Sequence, residues 1–146
     1  MTDIVDKHTR SRMMAGIGSK DTKPELVLRR ALHARGFRFR LHVKHLPGRP
    51  DLVFPKHRAV VFVHGCFWHR HAGCRFATTP ASRPEFWATK FRAKSTRDNV
   101  ICAKLLEIGW RVAIVWECAL RRAEQAESTA EILANWLVSE ESRIEI

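Results

Sequence analysis

The sequence predicts an α/β fold, a mixed sheet flanked by helices, in a single domain. Two runs carry most of this. Ala59-Val60-Val61-Phe62-Val63 and Trp110-Arg111-Val112-Ala113-Ile114-Val115-Trp116 are almost continuously apolar, as strands buried on both faces are. Polar stretches with helical spacing and glycine stops alternate with them, which is an α/β order. The length, 146 residues with 45% hydrophobic, suits one core, since domains most often hold about 100–150 residues. No internal repeat or low-complexity linker divides the chain.

In chain order, residues 1–20 are basic (Lys7, Arg10, Arg12, Lys20) with weak periodicity. They read equally as an arm outside the core or as a frayed terminus, and the folded domain is expected over 21–146. Thr22-Lys23-Pro24-Glu25 has the shape of a capping box with proline in the first turn. Leu26, Leu28, Ala31 and Leu32 supply apolar faces to the helix that follows, and Gly36 is placed to stop it. Phe37 to Val43 alternates apolar and basic residues, predicting a half-buried strand. Leu46-Pro47-Gly48-Arg49-Pro50 is a turn, and Asp51-Leu52-Val53-Phe54 a short strand. After the run at 59–63 comes a loop rich in His and Cys, from His64 to about Arg83. A polar helix follows from Pro84 to Ile108, stopped by Gly109. The run at 110–116 is the last predicted strand, and Ala123 to about Leu137 a closing helix. The predicted order is helix, three strands, helix, strand, helix.

Charge narrows the function. Lys and Arg number 26 against 15 Asp and Glu, a net charge of +11 and a pI near 10.4. Such a balance points to a polyanionic partner, most commonly nucleic acid. Met1 to Arg12 is charged and lacks an apolar segment, so no signal peptide is expected. No window approaches the roughly 18 apolar residues of a membrane span. The expectation is a soluble cytoplasmic protein with no membrane partner. In a reducing compartment its four cysteines are metal ligands or buried thiols before they are disulfides.

The densest chemistry lies in His64-Gly65-Cys66-Phe67-Trp68-His69-Arg70-His71-Ala72-Gly73-Cys74. Cys66, His71 and Cys74, joined by Cys118 just beyond Trp116, make a Cys3His set of the kind that holds structural zinc. Cys118 reaches the loop if the strands at 59–63 and 110–116 lie side by side. The loop needs such a tie, having little apolar content of its own. On spacing alone His69 could replace His71. Cys102, the odd cysteine, reads as a small core hydrophobe.

Metal-assisted cleavage of a phosphodiester needs a carboxylate to hold the cation. Asp51 opens a strand and suits that role. Glu25, His64 and His69 can be drawn to the same sheet edge by the strand order, whereas Asp98, within the later helix, cannot. Singly, each has a plainer reading: Glu25 a cap partner, Asp51 a turn residue, Asp98 a solvated helix charge, the histidines surface residues.

Leu46-Pro47-Gly48-Arg49-Pro50-Asp51, His64-Gly65-Cys66-Phe67-Trp68-His69, Phe86-Trp87, Gly109-Trp110-Arg111-Val112 and Val115-Trp116-Glu117-Cys118 together resemble the very-short-patch (Vsr) mismatch repair endonucleases. So does the opening Asp6-Lys7, Thr9-Arg10-Ser11-Arg12 and Met14. The resemblance runs from about residue 5 to 138. It implies a restriction-endonuclease-like fold with a structural zinc loop, an N-terminal arm over 1–20 that contacts DNA, and Mg²⁺-dependent nicking of double-stranded DNA. The nick falls 5′ of a thymine mispaired with guanine, the lesion left by deaminated 5-methylcytosine. By the same resemblance Asp51 binds the catalytic metal and His69 activates the attacking water, while Glu25, His64 and Asp98 order water around them. Cys66, His71, Cys74 and Cys118 bind zinc, and Phe67, Trp68 and Trp87 insert beside the mismatch. Restriction-type nucleases usually carry an acidic-x-Lys pair on the strand after Pro-Asp. Here that strand reads Phe62-Val63-His64, and the resemblance implies that the backbone carbonyl of Val63 coordinates Mg²⁺ instead. A monomer is expected, with mismatch-repair proteins as candidate partners.

A loop clamped at Cys66 and His71 is too short to fold Phe67 and Trp68 inward, so both are expected to face outward, as a wedge beside a basic surface. Two rival readings remain. A zinc-stabilised DNA-binding module without catalysis explains the charge, cysteines and aromatics but leaves Asp51, His64 and His69 idle. A zinc hydrolase needs an open coordination position, which the Cys3His set does not leave.

Overall fold

The structure, a computed structural model, describes residues 22–146; the arm read over residues 1–20 lies outside the described residues. Its elements are α1 (Lys23–Ala34), β1 (Leu52–Phe54), β2 (Ala59–His64), α2 (Pro84–Glu107), β3 (Arg111–Trp116), α3 (Ala123–Leu137) and β4 (Arg143–Glu145). Single 3₁₀ turns follow β1 and β3, at Pro55–His57 and Glu117–Leu120. No described helix is long and apolar enough to cross a membrane.

The apolar runs explain the layers. In β2 and β3, Ala59, Val61, Ala113 and Val115 face one side and pack with Leu28 and Leu32 of α1 and Leu133, Trp136 and Leu137 of α3. Val60, Phe62, Val112, Ile114 and Trp116 face the other and pack with Cys102 and Leu105 of α2. Each Val, Leu or Ile among these gains about 1.5–3 kcal/mol on full burial, so both strands must be covered on both faces. The strands run parallel, with Val60 beside Val112 and His64 beside Trp116. Both chains therefore leave the sheet at the same end, which is where the His- and Cys-rich loop and Cys118 are. β1 joins β2 antiparallel, with Val53 beside Val60, so the four-stranded sheet, ordered β1-β2-β3-β4, is mixed as expected.

Both predicted glycine stops hold. Gly36 takes φ 89°, its N–H donates to the His33 carbonyl and that of Phe37 to Leu32, a Schellman closure that needs a left-handed residue. Gly109 ends α2 in the same way.

Two elements differ from the sequence reading. Residues 37–43 form no strand; a single bridge joins Arg40 to Val53, with N–H···O distances of 2.8 and 3.0 Å. Phe37, Phe39 and Leu41 lean on the core under α1 and α3, but Val43 packs on the opposite core. The segment thus crosses the sheet edge, and left-handed His42, φ 56°, breaks the ladder there. Conversely, residues 143–145 add a strand that the sequence did not signal, parallel to β3 with Ile144 beside Ala113. Its pairing is extended by Val112 N–H to the Ser142 carbonyl and Trp116 N–H to the Ile146 carbonyl, both 3.0 Å. Arg111 fastens this end: its guanidinium donates to the carbonyls of Trp136 (2.6 Å), Glu141 (2.9 Å) and Leu137 (3.0 Å).

Candidate functional site

Asp51 sits where the chain enters β1. Its N–H donates to the Val61 carbonyl at 3.0 Å, and its Oδ2 accepts the Val63 N–H at 2.6 Å. The N–H and C=O of one strand residue point to the same side, so the Val63 carbonyl is also directed toward the Asp51 edge. Glu25 of α1 lies close by and is buried. Thr22 does not complete the expected capping box. Its hydroxyl instead donates to Glu25 Oε1 at 3.2 Å, while Oε2 pairs with Arg29 at 3.2 Å. Burial pushes the Asp51 carboxyl up to about 7; the Val63 N–H opposes this, and the charge and hydrogen bond of Glu25 add to it. Two carboxylates crowded at a half-buried strand end favour a cation between them.

A second group forms at the C-terminal end of β2. His64, 6% exposed, stacks flat on His69 with ring centroids 3.7 Å apart and planes 7° apart. Trp116 meets it edge-on at 5.3 Å. Burial presses His64 down to about 3, the neighbouring His69 adds to this, and Asp98 opposes it. His64 is therefore a neutral imidazole at neutral pH. His69 Nδ1 lies 2.6 Å from Asp98 Oδ2, with both side chains less than a fifth exposed. A carboxylate there selects the tautomer with the proton on Nδ1 and leaves the Nε2 lone pair free. Asp98, the one acidic candidate that strand order could not bring to the site, arrives because α2 packs on the Phe62 face of the sheet through Ile101, Cys102 and Leu105. The ligand atoms of His64, His69 and Asp98 all lie within 4.8 Å of one another.

The third group is Cys66, His71, Cys74 and Cys118, whose ligand atoms also lie within 4.8 Å of one another. It could hold a metal ion. All four cysteines of the chain are free thiols. His71, not His69, completes the set: its Nδ1 is 3.7 Å from Cys66 Sγ and 3.4 Å from Cys118 Sγ, while His69 is taken by Asp98. Burial pushes the Cys66 thiol up to about 12 and raises Cys118, whereas the Phe76 N–H lowers Cys74. The crowded thiols resist ionising together without a cation. His71 also stacks on Trp116 at 4.2 Å, so one indole touches a ring from each of the two groups. Cys102 is buried in the core and belongs to neither group of ligand atoms, as expected.

Phe67 and Trp68 divide. Trp68 is 46% exposed, as expected. Phe67 is half-buried, edge-on to Trp68 (5.0 Å), Phe91 (5.2 Å) and Trp87 (5.7 Å). The outward placement expected for both fails for Phe67 because Trp87 and Phe91, one turn apart on α2, offer it an apolar wall. Arg70 was not singled out from the sequence. It sits over the Phe91 ring at 4.0 Å and donates to the carbonyls of Phe67 (3.2 Å), Ala77 (3.2 Å) and Thr78 (2.9 Å) and to Thr79 Oγ1 (3.1 Å). It thereby ties the two arms of the loop together. Nothing in its sequence context separates it from the other basic residues of that loop.

The family model described as DNA mismatch endonuclease Vsr matches residues 2–75. The chain is 51% identical over 120 residues, 82% of its length and 88% of the relative's, to the type II nicking enzyme V.XorIIP of Xanthomonas oryzae pv. oryzae. It is 44% identical over 148 aligned residues, covering all of this chain and 94% of the relative, to DNA mismatch endonuclease Vsr of Escherichia coli K12. A third relative, the type II nicking enzyme V.NmeAIP of Neisseria meningitidis, is 43% identical over 83% of this chain and 86% of its own.

Proposed function

The chain belongs to the Vsr family of DNA mismatch endonucleases, and from that premise we propose that it nicks one strand of duplex DNA 5′ of a thymine mispaired with guanine, using Mg²⁺. Its enzyme class, an endonuclease and hence a hydrolase of DNA, follows from the family.

One observation carries the mechanism: His69 Nδ1 and Asp98 Oδ2 are 2.6 Å apart, at the same end of β2 as Asp51 and Val63. Asp98 holds the His69 ring and stabilises the imidazolium formed when Nε2 takes a proton from the attacking water. His64, neutral and stacked beneath it, adds no competing charge and keeps the ring plane fixed. Asp51 and the Val63 carbonyl are hard oxygen donors on one side of a strand end, with Glu25 beside them, and this set fits Mg²⁺. Bound there, Mg²⁺ would supply positive charge against the scissile phosphate and the leaving oxygen.

Zinc fits the second set. Tetrahedral zinc, about 2.3 Å from sulfur and about 2.0–2.1 Å from nitrogen, has S···N edges of about 3.6 Å. The observed separations of 3.4 and 3.7 Å match those edges. A Cys3His set is closed to substrate, so its role here is to brace the loop.

Trp68, Phe67 and Trp87 would insert at the mismatch, where stacking is already weak. Phe86 beside them, under Arg83 and Lys90, adds a cationic flank. The test is a labelled T:G duplex and its T:A control, each with Mg²⁺ and with EDTA. Nicking confined to T:G with Mg²⁺ is expected. Equal cutting of both duplexes, or none with Mg²⁺, would refute the reading.

A further inference from the structure

Beyond the aromatic wedge, the loop carries a second feature. The Arg121 guanidinium lies over the Phe76 ring at 3.9 Å and that of Arg75 over the same ring at 4.8 Å. The two charges are therefore no more than about 9 Å apart and repel. Neither makes a hydrogen bond or ion pair with another described residue. Three of the other four ring-stacked arginines are spent differently, Arg83 over Phe86 being the exception. Arg58, Arg70 and Arg111 also lie over aromatic rings, but their N–H groups are taken up by backbone carbonyls. At Phe76 each guanidinium carbon is held within 5 Å of the ring centroid, while its N–H groups have no partner among the described residues.

The pair is assembled from distant sequence. Arg75 follows Cys74 and Arg121 lies three residues beyond Cys118, so the two chain segments meet at the Cys66–His71–Cys74–Cys118 group. Arg70 ties the carbonyls of Ala77 and Thr78, next to Phe76, to that of Phe67 at the other end of the loop. The paired cations and the wedge aromatics thus belong to one braced unit.

We propose that Arg75 and Arg121, seated on Phe76, form a clamp for a backbone phosphate of the bound duplex, at a fixed offset from the aromatic wedge. Guanidinium edges match phosphate oxygens bidentately, and stacking on a ring removes much of the rotamer freedom that phosphate binding would otherwise have to freeze. A phosphate between the two guanidiniums also relieves their mutual repulsion. The clamp rests on the DNA-nicking reading for its ligand, but it is a binding site and is tested by binding.

The test measures equilibrium binding of a labelled ordinary duplex across a salt series, with zinc content recorded for each protein. Each lost phosphate contact removes about 0.9 from the slope of log K against log salt. Arg75→Gln/Arg121→Gln gives up that one phosphate, so the slope should fall by about 0.9 and binding should weaken about 5-fold near 0.15 M salt. Phe76→Leu, which keeps apolar volume and net charge but removes the ring face, should weaken binding about 2–5-fold through lost stacking alone. Lys56→Gln/Lys104→Gln removes the same charge at the opposite end of the sheet and should leave the slope as it is. An unchanged slope in the arginine pair, or an equal loss in the lysine pair, overturns the clamp. Nicking of T:G duplex by the parent reports separately on the parent reading. Parental nicking with an unaltered arginine-variant slope sinks the clamp alone; no parental nicking with a reduced variant slope sinks the nuclease reading alone.

Discussion

Asp98→Asn removes one charge and almost no volume from the proposed proton-transfer pair. Asp98 Oδ2 lies 2.6 Å from His69 Nδ1, with side chains 18% and 17% exposed. When His69 takes a proton, the carboxylate and the new imidazolium attract each other. With charge centres about 4 Å apart and an effective dielectric near 20, that attraction is about 4 kcal/mol. Partial exposure trims it to about 3 kcal/mol. Each 1.36 kcal/mol is tenfold in rate, so kcat should fall about 10²–10³-fold. The amide that replaces the carboxylate can also turn its NH₂ to Nδ1, which moves the imidazole proton to Nε2 and disables the base. KM should change less than about threefold, because the pair is not asked to hold substrate. The assay is single-turnover nicking of labelled T:G duplex at saturating enzyme, with zinc content as the folding control. A cycle with His69→Ala sharpens it. Once the imidazole is gone, Asp98→Asn should add nothing further. A kcat within threefold of the parent, or fully additive losses in the double variant, would refute the coupling.

Asp51→Ala should abolish nicking while salt-sensitive duplex binding survives, read by gel shift and nicking on the same duplex; equal nicking would move the metal site elsewhere. Cys118→Ser should lower zinc content from about one per chain together with thermal stability, because metal binding and folding are linked, whereas Cys102→Ser should keep its zinc. His64, held down near 3 against an ordinary 6.5, is neutral in the fold but protonates in the unfolded chain. Its contribution is therefore whole above pH 6.5 and lost as pH falls toward 3, costing about 2 kcal/mol by pH 5. Urea titrations at pH 7 and 5 should show that loss, and it should shrink in His64→Gln. Trp68→Ala should narrow the preference for T:G over T:A duplex and slow nicking, while salt-driven binding to ordinary duplex persists; an undiminished preference in that variant and in Phe67→Ala/Trp68→Ala would rule out the wedge.

The sequence by itself determined the layers and most of the candidate site. Runs such as Ala59–Val63 and Arg111–Trp116 can only be strands covered on both faces, and Gly36 and Gly109 stop helices because they supply left-handed backbone. The Cys66, His71, Cys74 and Cys118 set was legible because a closed metal site needs four donors and the parallel pairing of two apolar strands brings Cys118 to the loop. What the sequence left open was settled by contacts between distant segments. Tertiary structure chose His71 over His69 for the cysteine set, since Asp98 claims His69. It brought the helix residue Asp98, which local pattern reads as a solvated charge, to His69 of the candidate site through the packing of α2 on the sheet. It drew Phe67 against Trp87 and Phe91, dissolved the strand expected over 37–43 by carrying it across the sheet edge, and added β4 from three residues too few to show a period. It also placed Arg75 and Arg121 on one ring, 46 positions apart in sequence. Local pattern fixes which face a residue offers; which distant group meets that face depends on how the packed layers bring chain segments together.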